Sequence, residues 1–495
     1  MSYEEFMEIV EELGNVTEIT ELLHWDQEVE MPEKGVKARS RQLSTLARIK
    51  HRTLSSHELR QQLEGLEEDS LDGDQSAVVR EIRREHERAR EVPTSLMQRI
   101  AEKQSECLDT WKKAREEEDF SVVKDDLKEL VELKRKYAEH IDPEKEPYRV
   151  LFEDYEPYIE FERMEEILEQ LRKELTDLLE QIRSEGDEIE TSTFRGDFDP
   201  EKQEELNRRI LELLGYDSSR AKLDISEHPF TIGNQFDARI TTRYAEDELL
   251  GSITSTIHEY GHALYCLGLD RDNYGNPLGQ ARELAVHESQ SRLWENHVGR
   301  SREFWEFLLP EAKDVFPGQL EDADVEDCYE SVNQYDPDNL VRVHADEASY
   351  HLHIVLRFEL ERRLVNGDIE VEDLPGLWEQ KMEEYLGLTP ESDVEGVLQD
   401  IHWYQGSIGY FTTYSLGSVI AAQLFEAARN DIEGLKGKIS EGEFDDLQDW
   451  LRENIHSAGK RYPTGELIEK VTGSKPGAEP FLDYIKSKYR ELYGL

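Results

Sequence analysis

The run Leu127-Lys128-Glu129-Leu130-Val131-Glu132-Leu133-Lys134-Arg135-Lys136-Tyr137 sets the fold class of this chain. Leu127, Leu130, Val131 and Leu133 recur at three- and four-residue intervals among charged residues, the pattern of a helix with one apolar stripe. The same pattern fills Ser76 to His140; Pro93 starts a new helix within it, and Pro143 and Pro147 interrupt the periodicity beyond. A further helix fits Arg163 to Ser184, whose charges read as a solvated face. No repeat of fixed period and no low-complexity linker divides the 495 residues. The expectation is one continuous, mainly α-helical domain over 1–495 with a deep cleft.

Outward from the helices, Phe230 to Tyr244 reads differently. It is rich in strand formers and poor in helix signals, so a small sheet is expected there. Period-two alternation puts Asp237, Arg239 and Thr241 on one face.

Composition narrows the setting. Only 37% of residues are hydrophobic, and 112 acidic side chains against 59 basic ones give a formal charge of −53. The 7 Trp, 21 Tyr and 16 Phe, with the regular apolar spacing, argue for a folded core under an acidic shell and against disorder. Such a shell repels itself unless cations screen it, which fits a halophilic protein. Phosphate-directed nucleic-acid binding needs basic surface, so no nucleic-acid partner is expected. Cys107, Cys266 and Cys328 are few, odd in number and widely spaced, so no disulfide framework is implied. The start of the chain lacks the basic and apolar regions of a signal peptide, and no run of 18 apolar residues occurs. A cytoplasmic protein without membrane spans is expected.

The chemistry concentrates in His258-Glu259-Tyr260-Gly261-His262, an H-E-x-x-H pattern. Residues four apart on a helix share a face, so both imidazoles can reach one ion, and Glu259 lies close enough to polarise a water there. Leu250, Ile253, Ile257 and Leu264 give the helix an apolar stripe, and the small Gly261 permits close helix contact. A catalytic zinc needs a third protein ligand and an open position. The following helix, read as Gln280 to Glu295, offers Glu283, His287, Glu288 and Glu295, and spacing alone does not choose among them.

Several separated motifs resemble the thermostable carboxypeptidase family, peptidase family M32 or carboxypeptidase Taq family. They are Asp237-Ala238-Arg239-Ile240-Thr241, the His258–His262 motif, His287-Glu288-Ser289-Gln290-Ser291, Val341-Arg342-Val343-His344-Ala345-Asp346, and Gly396 to Trp403. His24-Trp25-Asp26-Gln27 and Met31-Pro32 are similar to the family's N-terminal region, while Thr412 stands where relatives often carry proline. The resemblance implies Glu288 as third ligand and zinc as the usual metal, with cobalt able to substitute. It further implies a helical fold similar to neurolysin and angiotensin-converting enzyme, broad removal of single residues from peptide C-termini, and homodimers. N-terminal helices, about 1–190, would roof the cleft, and about 191–495 would form the catalytic part.

Chemistry then assigns expected roles. Glu259 is the general base. Arg342 captures the substrate's free terminal carboxylate with its planar fork, with Arg239 as runner-up unless Asp237 holds it in a structural ion pair. Thr241 and its strand neighbours align the peptide backbone by edge pairing. His402, Tyr410 and Tyr414 are candidate donors to the oxyanion. An oligoendopeptidase on the same metal site, or a non-catalytic helical binding protein, are the competing readings.

Overall fold

The computed structural model describes residues 3–189 and 191–495. The Ser76–His140 region forms three helices, Gly73–Glu91, Thr94–Glu117 and Lys124–Ile141, with Pro93 capping the second as its spacing predicts. The break after Glu117 carries neither proline nor glycine. Glu118 closes it by taking φ +54°, the left-handed conformation that ends many helices. The helix predicted at Arg163–Ser184 runs from Phe161 to Glu185. Its Leu171, Leu175 and Leu178 are at most 2% exposed. A core leucine of this kind is worth about 1.5–3 kcal/mol by burial, and truncating Leu175 to alanine is expected to cost about 2–5 kcal/mol.

The chain gathers into two compact units. One comprises Met1–Arg90, Glu190–Val332 and Ile420–Lys475; the other comprises Glu91–Ile189, Asn333–Val419 and Pro476–Leu495. The second unit is built around the Tyr350–Asn366 helix, which packs against Phe161–Glu185 and buries Leu352, Ile354, Leu356, Leu360 and Leu364. Among the described residues no helix is long and apolar enough to cross a membrane. Cys107, Cys266 and Cys328 are buried free thiols.

The first unit holds the small sheet, in the order β1 (Ala221–Ile225), β3 (Ala238–Thr242), β2 (Thr231–Gly233). β3 pairs parallel with β1 and antiparallel with β2. This overturns the expected edge role of Thr241. β3 is the central strand, Thr241 is fully buried, and its N–H donates to the Phe230 carbonyl at 3.0 Å. Its hydroxyl is likewise engaged, accepting from Ser226 at 2.7 Å. The edges belong to β1 and β2, and of these β2 lies against the Leu250–Gly268 helix. Phe230 and Asn234 exchange hydrogen bonds with the β3 side (Thr241 N–H to Phe230 O and Asn234 N–H to Asp237 O, both 3.0 Å), so alternation turns the main-chain groups of Thr231 and Gly233 the other way.

β2 and β3 both pack on the Leu250–Gly268 helix, which carries the H-E-x-x-H pattern. This helix lies directly on the next, and Gly261 makes that possible. A Cβ there would sit 2.5 Å from the Gln290 carbonyl oxygen and 2.7 Å from Ser291 Cα. The next helix spans Leu284–Arg292, shorter than the Gln280–Glu295 predicted. Gln280 to Glu283 precede it, and from Leu293 to Gly299 the chain winds into a π-helical turn, a wider coil that apolar spacing does not signal.

Candidate functional site

His258 and His262 stand one turn apart on the Leu250–Gly268 helix, with ring centroids 4.9 Å apart. Their Nε2 atoms face one carboxylate oxygen: Glu288 Oε2 lies 3.6 Å from His258 Nε2 and 3.4 Å from His262 Nε2. One donor atom from each of the three residues falls within 4.8 Å of the others. Two imidazoles and a carboxylate form a common protein donor set for catalytic zinc, and bonds of about 2.0–2.2 Å at a tetrahedral angle put neighbouring donors about 3.4 Å apart. The residues present therefore fit a divalent ion in both chemistry and spacing. The side chains of His258, His262 and Glu288 keep 19%, 15% and 10% of their surface accessible.

The electrostatics agree. Burial opposes charge on Glu288, yet Arg292, His258 and His262 outweigh it and hold its carboxyl well below the usual range. Burial also disfavours a charged His258, but Glu288 and then Glu295 push its pKa up, so cationic charge is welcome at this position. Arg292 donates through Nε to Glu288 Oε1 at 2.8 Å and through Nη1 to Glu295 Oε2 at 3.2 Å. Glu295 Oε2 is 2.8 Å from His258 Nδ1, and Glu295 Oε1 accepts from Arg300 at 3.0 Å. His262 Nδ1 lies 2.6 Å from Nδ1 of His287, the histidine that spacing left as an alternative ligand.

Glu259 is 5% exposed on the same helix, and its Oε2 accepts from the Thr231 hydroxyl at 2.6 Å. The edge strand therefore touches the proposed base directly. Next to it lies a cavity of about 410 Å³ walled by the Tyr3–Val29 helix and β2, with Leu13, Glu18, Glu21, Thr231, Gly233 and His287 among its lining. Glu21 faces this space without a hydrogen-bonding partner on the described chain.

The other predicted residues fall elsewhere. Asp237 holds Arg239 bidentately at 2.9 and 2.7 Å, and the Arg239 guanidinium lies 4.7 Å from the Trp25 ring. Arg342, His402, Tyr410 and Tyr414 form a second group within the second unit. Arg342 is 7% exposed; it donates through Nε and Nη2 to Asp400 Oδ1 at 3.0 and 2.6 Å and through Nη1 to the Tyr350 hydroxyl at 3.1 Å. Arg357 holds the other oxygen of Asp400 at 2.7 Å through Nε. His402 Nε2 is 3.3 Å from the Tyr414 hydroxyl, and the rings of Tyr410 and Tyr414 lie 5.3 Å apart.

Sequence reasoning named Glu295 and His287 only as possible ligands, and missed Thr231, Arg292 and Arg300. Glu288, Arg292 and Glu295 are spaced four and then three residues apart, the signal of a shared helical face that would have connected them. Nothing local ties Thr231 to Glu259, because that contact depends on how the sheet packs.

Comparison with known proteins places the chain among relatives along its whole length. The family model described as carboxypeptidase Taq (M32) metallopeptidase matches residues 5–489. Thermostable carboxypeptidase 1 of Thermus thermophilus is 39% identical over 508 residues, covering 100% of this chain and 99% of the relative. Carboxypeptidase 1 of Bacillus subtilis is 33% identical, covering 99% and 98%. Among solved structures, the M32 carboxypeptidase of Deinococcus radiodurans superposes with a TM-score of 0.95 at 35% identity, over 100% of this chain and 99% of that one.

Proposed function

Because the chain belongs to the carboxypeptidase Taq (M32) family of metallopeptidases, we propose that it releases single residues from the C-termini of peptides at the His258–His262–Glu288 centre. The observation that carries this is the convergence of both Nε2 atoms on Glu288 Oε2, with Glu259 beside them on the same helix. A divalent ion there, zinc in this reading with cobalt as a substitute, supplies Lewis acidity that makes water a competent nucleophile near neutrality.

The remaining work falls to the chain's own side chains. Thr231 fixes Glu259 Oε2 by a hydrogen bond, leaving Oε1 to take a proton from the attacking water and return it to the departing amine. Backbone alignment, once assigned to Thr241, passes to the open edge of β2. A peptide pairing antiparallel to that edge places its amino-terminal part beside Gly233, in the cavity, and its scissile end beside Thr231 and the base. In this reading Arg342 receives the terminal carboxylate. Its burial and its clamp on Asp400 support the role, because both keep the guanidinium ordered before substrate arrives. His402, with Tyr410 and Tyr414, is assigned to the developing oxyanion. A cytoplasmic homodimer acting on peptides with a free C-terminus, without a nucleic-acid or membrane partner, completes the proposal.

The test is mass spectrometry of a long peptide digested by the purified, metal-loaded protein. A ladder shortened by one residue at a time from the C-terminus supports the reading; internal fragments would make the chain an oligoendopeptidase.

A further inference from the structure

Two of the three ligand side chains share one support. Arg292 grips Glu288 Oε1 through Nε at 2.8 Å, and Ser291 Oγ donates to Glu288 Oε2 at 3.0 Å. The carboxylate is thereby fixed edge-on, with only Oε2 turned towards both histidine Nε2 atoms. The same guanidinium reaches Glu295 Oε2 at 3.2 Å, and that oxygen meets His258 Nδ1 at 2.8 Å. Glu295 is 7% exposed, and Arg300 holds its other oxygen at 3.0 Å. An imidazole whose Nδ1 donates to a carboxylate must carry its lone pair on Nε2, the atom that faces Glu288. Glu295 stands in the π-helical turn Leu293–Gly299, a kind of distortion that gathers at functional sites.

We propose that Arg292 and Glu295 are a positioning pair for the metal centre: Glu295 sets the tautomer and ring orientation of His258, and Arg292 holds Glu288 and Glu295 in register. Neither residue touches the ion or the substrate. The support is lopsided, because His262 Nδ1 meets an imidazole, His287 Nδ1 at 2.6 Å, where His258 Nδ1 meets a carboxylate at 2.8 Å. Losing the anion behind His258 therefore loosens one ligand selectively.

This inference rests on His258, His262 and Glu288 being the ligand set, and the experiment separates the two. Zinc affinity is measured by chelator competition for the wild type, Glu295→Gln, Arg292→Lys and Glu288→Gln, with the metal-free melting temperature of each as the fold control. Removing an outer partner of a ligating histidine typically costs 10–100-fold in affinity. Glu295→Gln and Arg292→Lys are expected to weaken zinc within that range, and the visible absorption of the cobalt-substituted Glu295→Gln protein is expected to differ from wild type. Wild-type affinity and an unchanged cobalt spectrum in both variants, with Glu288→Gln unable to bind, overturn the positioning role alone. Wild-type affinity in Glu288→Gln overturns the ligand reading itself. If Glu295→Gln does not fold, Arg292→Lys decides: weakened zinc binding in a folded protein upholds the pair, and unchanged binding refutes it.

Discussion

Thr231 donates its hydroxyl to Glu259 Oε2 at 2.6 Å, joining the edge strand of the sheet to the carboxylate on the metal-site helix. A charge-assisted hydrogen bond of this kind is worth roughly 1.5–3 kcal/mol, or about 10–100-fold in rate if it orients the base only at the barrier. Thr231→Val is expected to lower kcat within that range without changing metal content. Glu259→Gln removes the base and is expected to lose about 100- to 10,000-fold in kcat while still binding one metal. Steady-state kinetics with metal analysis check both, and near-wild-type turnover in Glu259→Gln would remove that residue from its role.

Arg342 and Asp400 make the second prediction. Lysine cannot reproduce the two bonds Arg342 gives Asp400. Arg342→Lys is expected to cut kcat/KM roughly tenfold or more for peptides with a free carboxylate and to leave slow cleavage of C-terminally amidated ones unchanged. Asp400→Asn leaves Arg342 and Arg357 facing each other without a counter-charge in a buried site, so a loss of about 3–5 kcal/mol is expected in denaturant titration.

Stability should depend on pH through His402. Burial, with Arg342 and Arg357 adding to it and Asp400 opposing, lowers its pKa from 6.5 to about 4. The folded state thus binds the proton less tightly than the unfolded chain. The contribution is present above pH 6.5 and fades as pH falls from there to 4, by up to roughly 3 kcal/mol. Glu361, fully buried and raised from 4.5 to about 7 by burial against hydrogen bonds from Gly409, Trp403 and Tyr148, works in the opposite sense, losing stability as pH rises between those values. Chemical denaturation across pH 4–8 of wild type and His402→Gln checks the first: the acid limb should flatten in the variant.

The charge of −53 makes a prediction about salt. At about 0.1 M the Debye length is about 10 Å, and neighbouring surface carboxylates still repel. The melting temperature is expected to rise steadily from there to molar salt. A flat profile would show that the acidic shell is not an adaptation to salt.

Much of this molecule is legible in local patterns. Leu127 to Leu133 and Leu171 to Leu178 recur at helical intervals because one face is buried, and a buried face is the constraint that spacing records. His258, Glu259 and His262 are legible for the same reason, since one turn of helix sets their geometry before any tertiary contact forms. What stayed hidden depends on packing between elements. Three short strands close together carry no mark of which lies in the middle, so the sequence does not reveal that Thr241 sits on the central strand with β1 and β2 at the edges. Glu118 turns its helix without a glycine, and the π-helical turn holding Glu295 leaves the apolar spacing undisturbed. Glu288 is singled out only by the family resemblance carried by His287 to Ser291, because helical spacing treats Glu283, His287, Glu288 and Glu295 alike.

The most direct test of the central claim is to strip the protein with a chelator and titrate zinc back while following release of the C-terminal residue from a short peptide. One equivalent is predicted to restore activity in the wild type, and no concentration to restore it when His258 and His262 are replaced by alanine. Undiminished release by the stripped protein, or full recovery in that double variant, would contradict the claim.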